Sequence, residues 1–138
     1  MADWNAHLTT LFPETRMKAY IEIRSIDSQP PELMLAAPAI VKGIFYENDC
    51  LDAAWDLVKP WTWDERLELL HAAPRQALQA RIRRFEVREL ARELIDIAES
   101  GLNRQHVAGA ESEAMYLEQL HDLTRRGSCP ADAIIEQW

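Results

Sequence analysis

The sequence predicts a mainly α domain of about six or seven helices with one β-strand near the N-terminus. Three observations carry that prediction. Four Gly in 138 residues are too few for an all-β fold rich in tight turns. From residue 33 onward, apolar residues recur at helical spacing between recognisable caps and prolines. Only Met17 to Ser25 alternates with a period of two.

Taken in chain order, Asp3 suits the N-cap of a short helix through Leu11, which Pro13 ends. In the strand, Met17, Ala19, Ile21 and Ile23 share one face and Lys18, Tyr20, Glu22 and Arg24 the other. Asp27-Ser28-Gln29-Pro30-Pro31 reads as a loop. Pro38 fits the first turn of an apolar helix to about Tyr46. Asn48 or Asp49 can cap the next, which carries Leu51, Ala54, Trp55 and Val58 and closes at Pro60. Thr62-Trp63-Asp64-Glu65 is a capping box; its helix presents Trp63, Leu67 and Leu70 and is expected to stop before Pro74. The strongest helix runs from about Arg84 to Arg104, with Val87, Leu90, Ala91, Leu94, Ile97, Ala98 and Gly101 as its stripe. Gln105 to Ala110 resembles a linker. Glu111 to Arg126 forms a further helix with Leu117, Leu120 and Leu123 inward and Gly127 as C-cap, and a last short helix starts at Pro130 behind Ser128 or Cys129.

A chain of this length fits one domain. Its net charge of -8 makes it a poor nucleic-acid surface. The longest apolar stretch, Leu33 to Tyr46, is interrupted by Pro38 and Lys42 and is too short to span a bilayer. MADWNAHLTT lacks the basic and apolar regions of a signal peptide. Cys50 and Cys129 form no disulfide framework or metal-spacing motif, so both are expected as reduced thiols in a cytoplasmic protein. A lone strand leaves its backbone donors and acceptors unpaired. Another chain or a preceding part of a longer protein is therefore expected to complete the sheet, and the open edge to favour self-association as a homodimer or domain-swapped form.

Chemistry points to that strand. Glu22 and Arg24 are two residues apart, so their side chains emerge together. A carboxylate is a hard oxygen ligand for Mg²⁺, and a guanidinium grips phosphate or carboxylate. Spacing alone equally describes a solvated face with an ion pair.

The run His7-Leu8-Thr9-Thr10-Leu11-Phe12-Pro13-Glu14-Thr15-Arg16, continued by Lys18-Ala19-Tyr20-Ile21-Glu22-Ile23-Arg24-Ser25-Ile26-Asp27, resembles a block of the plant- and proteobacterial-type glutamate–cysteine ligases. Leu35-Ala36-Ala37-Pro38-Ala39, Gly43-Ile44-Phe45-Tyr46, Leu51 to Leu57, Trp61-Thr62 and Cys129-Pro130-Ala131-Asp132 are similar too, in order along nearly the whole chain. The resemblance implies the C-terminal part of a glutamine-synthetase-like α+β fold, with 1–32 contributing a catalytic-sheet strand and its flanks and 33–138 a helical buttress. It implies ATP and Mg²⁺ as cofactors, and glutamate with cysteine or a related amine as substrates. The activity implied is γ-glutamyl amide formation through γ-glutamyl phosphate, in glutathione biosynthesis. It assigns Glu22 to Mg²⁺ and Arg24 to the substrate glutamate or the transferring phosphate, and Arg16 matches a family position in the substrate-binding set. Ser25 to Pro31 replaces the usual G-A-D-G-G-P, closer to ergothioneine-pathway relatives, which leaves the accepted amine open.

Because the family carries most of its sheet ahead of this block, the isolated chain is expected to be inactive. The rival reading is a non-catalytic helical interaction or assembly module that keeps the ligase scaffold. Elsewhere, His7, His71, His106 and His121 show no metal-binding spacing, although His7 falls in the matched block. The arginines from Arg81 to Arg92 interleave with Glu86 and Glu89 as on a solvated helix. Trp55, Trp61 and Trp63 read as burial between helices rather than a stacking platform.

Overall fold

The computed structural model describes residues 3, 4, 7, 10 and 13–135. Residues 3, 4, 7 and 10 have helical backbone, and the rest of the helix expected from Asp3 to Leu11 lies outside the described residues. Six α-helices follow: α1 (Ala36–Phe45), α2 (Asn48–Val58), α3 (Trp63–Gln76), α4 (Val87–Gln105), α5 (Glu118–Arg126) and α6 (Pro130–Ile135). Four short strands make two separate antiparallel hairpins, β1 (Thr15–Met17) with β2 (Ile21–Ile23) and β3 (Arg81–Ile82) with β4 (Phe85–Glu86). The domain is mainly α, as its sequence predicts. No described helix is long and apolar enough to cross a membrane.

The single strand from Met17 to Ser25 is instead a tight hairpin. The chain reverses at Lys18-Ala19-Tyr20, and Thr15, Arg16 and Met17 pair with Ile23, Glu22 and Ile21. Alternation survives the reversal because residues on both arms keep their period of two. The strand thus finds an intramolecular partner. Two three-residue arms still leave outer edges.

Helix α4 is the axis of the core. Ile95, Ala98 and Leu102 meet Ala39 and Ile44 of α1, and Leu117 closes the cluster. Two glycines let α1 and α4 cross nearly backbone to backbone. A Cβ on Gly43 would sit 2.2 Å from the Ala98 carbonyl oxygen, and one on Gly101 would sit 1.9 Å from that of Gly43. Leu117 lies in a 3₁₀ turn, Glu113–Leu117, where a continuous helix from Glu111 was expected. Ser112 caps that turn by accepting from the Ala114 amide, and Gly127 ends α5 in the left-handed conformation at φ 73°. Asp132 accepts from the Cys129 amide at 2.7 Å, so Cys129 is the residue ahead of α6.

Other expectations change in detail. Glu47, not Asn48, precedes α2, and its side chain makes no cap bond. Helix α3 starts at the Thr62 capping box, with Glu65 accepting from the Thr62 amide at 2.7 Å, yet runs two residues past Pro74. So near its end, Pro74 removes only one ladder bond. Helix α4 starts at Val87 because Arg81 to Glu86 form the second hairpin, with Arg83 at φ 53°. Trp63 is 71% exposed and Trp55 is exposed too, against the expected burial. Cys50 is buried, Cys129 half-buried, and they form no disulfide.

Candidate functional site at the first hairpin

Glu22 sits in the middle of β2, directly across from Arg16 in β1. Register alone therefore puts the two side chains on one face of the ribbon. The Glu22 carboxylate oxygen Oε2 accepts from Arg16 Nε at 2.9 Å and lies 2.7 Å from Arg16 Nη2. Lys18 Nζ reaches to 3.8 Å of the same oxygen from the bend. Arg24 continues the ladder, its amide donating to the Glu14 carbonyl at 2.8 Å, and its side chain is half-buried.

These neighbours fix the ionisation state. The Arg16 hydrogen bond holds the Glu22 carboxyl below the usual carboxylate range; desolvation opposes it, and the charges of Arg16, Lys18 and Arg24 each add a lesser lowering effect. Glu22 is thus ionised at neutral pH. Arg16, Lys18 and Arg24 all act on the one carboxylate, and guanidinium and ammonium groups are the types that grip a phosphate or a substrate carboxylate.

All three residues singled out from sequence come together here. Arg16 becomes the direct cross-strand partner of Glu22, and Arg24 adds its charge two positions on. Lys18 was missed as part of the group, because a straight strand would carry it away from residue 22 while the reversal brings it back. The exposed ring of His7 lies 5.8 Å from that of Trp4.

Beside the hairpin opens an apolar groove of about 680 Å³. Ile23 and Ile26 line one side, and Ile40, Trp55, Leu94 and Leu120 the helical wall. A second cluster lies on the helices: Asp96, Glu99 and His121 offer ligand atoms within 4.8 Å of one another. No sequence spacing betrays it, because His121 approaches from a different helix.

Comparison with known proteins identifies the family. The profile of glutamate–cysteine ligase family 2 (GCS2) matches residues 1–137. The chain belongs to that family. Over 136 residues, 99% of this chain, it is 35% identical to the chloroplastic glutamate–cysteine ligase of Arabidopsis thaliana, covering 25% of that protein. It is 33% identical over the same length to the chloroplastic enzyme of Nicotiana tabacum, again covering 25% of it. Glutamate–cysteine ligase A of Oryza sativa subsp. indica is likewise 33% identical, with 27% covered. The chain thus spans about a quarter of the length of these relatives. No solved structure matches it.

Proposed function

We propose that this chain is part of an ATP-dependent carboxylate–amine ligase that joins the γ-carboxyl of glutamate to cysteine or a related amine. The observation that carries this reading is the ionised Glu22 ringed by Arg16, Lys18 and Arg24, in a chain matched end to end by the ligase family. In this reading Glu22 is an oxygen ligand of Mg²⁺, while Arg24 and Arg16 hold anionic groups of glutamate and of the phosphate being transferred. Residues 1–32 contribute to the catalytic surface and 33–138 buttress it.

The donor set fits Mg²⁺ in part. An ionised carboxylate is the hard oxygen ligand the ion prefers, and one carboxylate is too few for its octahedral shell. Residues outside this chain would supply the remainder. Mg²⁺, when bound, neutralises charge on phosphoryl oxygens. The hairpin's own contribution is positional. Arg16 keeps Glu22 charged and aimed, and Arg24 presents a second guanidinium two residues away for the charge that collects on the phosphoryl oxygens as phosphate departs.

From this follows the inactivity of the isolated chain: with ATP, Mg²⁺, glutamate and cysteine present, no phosphate release is expected. Glutamate- and cysteine-dependent release would overturn it. In the longest gene product that contains this chain, Glu22→Ala should abolish Mg²⁺-dependent turnover while the circular dichroism spectrum is unchanged. Retained turnover would favour the rival, a non-catalytic helical assembly module on a ligase scaffold, for which the open apolar groove speaks. We further propose a cytoplasmic location, in keeping with two unpaired thiols. Self-association through the hairpin edge is proposed as well. Light scattering that gives a clean monomer across micromolar concentrations would remove that last proposal.

A further inference from the structure

Helices α4 and α5 carry a ligand set that the hairpin chemistry does not use. Asp96 and Glu99 are three apart on α4, hence neighbours on one helix face. His121, from α5, inserts its ring between them: Nε2 lies 3.1 Å from Glu99 Oε2 and Nδ1 3.8 Å from Asp96 Oδ1. One ligand atom from each of the three falls within 4.8 Å of the others. We propose that Asp96, Glu99 and His121 form a binding site for a divalent transition-metal ion, Zn²⁺ being the chemical type, that clamps α5 onto α4.

Ligand chemistry selects the ion. Imidazole nitrogen with two carboxylates suits Zn²⁺, Co²⁺ or Ni²⁺, whereas Mg²⁺ takes oxygen ligands and keeps its waters. A tetrahedral zinc with bonds of about 2.0–2.1 Å sets its donors roughly 3.4 Å apart. His121 Nε2 and Glu99 Oε2, at 3.1 Å, already stand near that spacing, and the Asp96 carboxylate is mostly exposed and that of Glu99 partly so, which leaves both room to turn toward an ion. The same openness leaves the fourth position to water. The competing arrangement is a plain ion pair, with a protonated His121 held between two carboxylates. Both use the same atoms, but only the first needs an ion.

The test uses the full chain, stripped with a chelator and titrated with ZnCl₂ against a chromophoric competitor. One equivalent should bind, and saturating Zn²⁺ should raise the melting temperature, because an ion that binds only the folded state stabilises it. His121→Gln, and separately Asp96→Asn with Glu99→Gln, should each raise the Kd at least about tenfold and abolish the shift. His71→Gln with His106→Gln should retain both. Zn²⁺ affinity in the His121 and carboxylate variants equal to that of the parent, or no stoichiometric binding by the parent chain, would overturn the site and leave the ion pair. Co²⁺ gives an independent reading should one variant fail to fold. A thiolate-to-cobalt charge-transfer band from the parent chain would move the ion to Cys50 or Cys129 and sink the proposal, and a tetrahedral spectrum without that band supports it.

Discussion

The two glycines at the centre of the helical body and the charged hairpin at its flank are built on opposite terms. At the α1–α4 crossing, Gly43 and Gly101 bring backbones into contact, and Ala98, Leu102 and Leu117 seal them from water. In the hairpin, Met17 and Ile21 pair across the ribbon, yet Met17 is 82% and Ile21 54% exposed. Apolar side chains in that state gain little from this fold. The body closes around its own core, whereas the hairpin leaves its apolar pair in solvent.

The sharpest way to break the contrast is to fill the crossing. Gly43→Ala places a methyl group 2.2 Å from a backbone carbonyl oxygen, which no rotamer change can relieve. Overpacking usually costs about 1–3 kcal/mol. Here the helices themselves must part, so the loss should exceed roughly 3 kcal/mol, read as a drop in the urea midpoint. Gly109→Ala is the control. Nothing lies within 4 Å of its added methyl, and only the positive φ of 90° opposes it, at about 1 kcal/mol. Equal losses at the two positions would mean that the crossing is looser than described.

Which parts of this were readable from sequence follows from how local their causes are. The Thr62–Glu65 box and the Gly127 cap are settled within four residues, and both appear where expected. The helical stripe of α4 was legible as well, although the buried face turns to include Ile95 and Leu102. The reversal at Lys18-Ala19-Tyr20 was not, because it uses no Gly, Pro or Asn and leaves the alternation intact. Arg81 to Glu86 hid a hairpin for the same reason, with Arg83 taking a positive φ that glycine would normally signal. At the site, Glu22, Arg16 and Arg24 were found by residue type and resemblance. That Arg16 is the partner of Glu22 is a matter of register, which only a known turn could supply.

A milder probe acts at the edge of the body. Arg83 donates to Glu65 at 2.7 Å and also to the Pro60 carbonyl, so the second hairpin is tied to the start of α3. The Arg83 hydrogen bond, followed by that of the Thr62 amide, holds the Glu65 carboxyl down to about 2 from its ordinary 4.5. A carboxyl whose folded value is depressed stabilises the fold above its unfolded value and loses that contribution as pH falls toward the folded one. The melting difference between the parent chain and Glu65→Gln should therefore be full above pH 4.5 and shrink as pH falls toward 2. Thr62→Ala removes the other half of the box at about 1 kcal/mol. A difference that stays constant down to pH 2 would show that Glu65 acts through packing rather than charge.

The smallest effect is expected at the hairpin, and its smallness is the point. Ile21→Thr keeps a β-branched residue, preserving strand preference while deleting apolar surface. Because Ile21 is already more than half exposed, the isolated chain should change stability by no more than about 0.5 kcal/mol. Met17→Thr, its cross-strand partner, should behave alike. If the hairpin serves an assembly, the same substitutions should weaken association in the longest gene product, measured as a shift in the concentration dependence of its light scattering. A loss above about 1.5 kcal/mol in the isolated chain would instead mean that the hairpin is held by the helical core. The two regions would then be one structure. An exposed pair that is indifferent to stability and decisive for association would place its packing partner outside this fold.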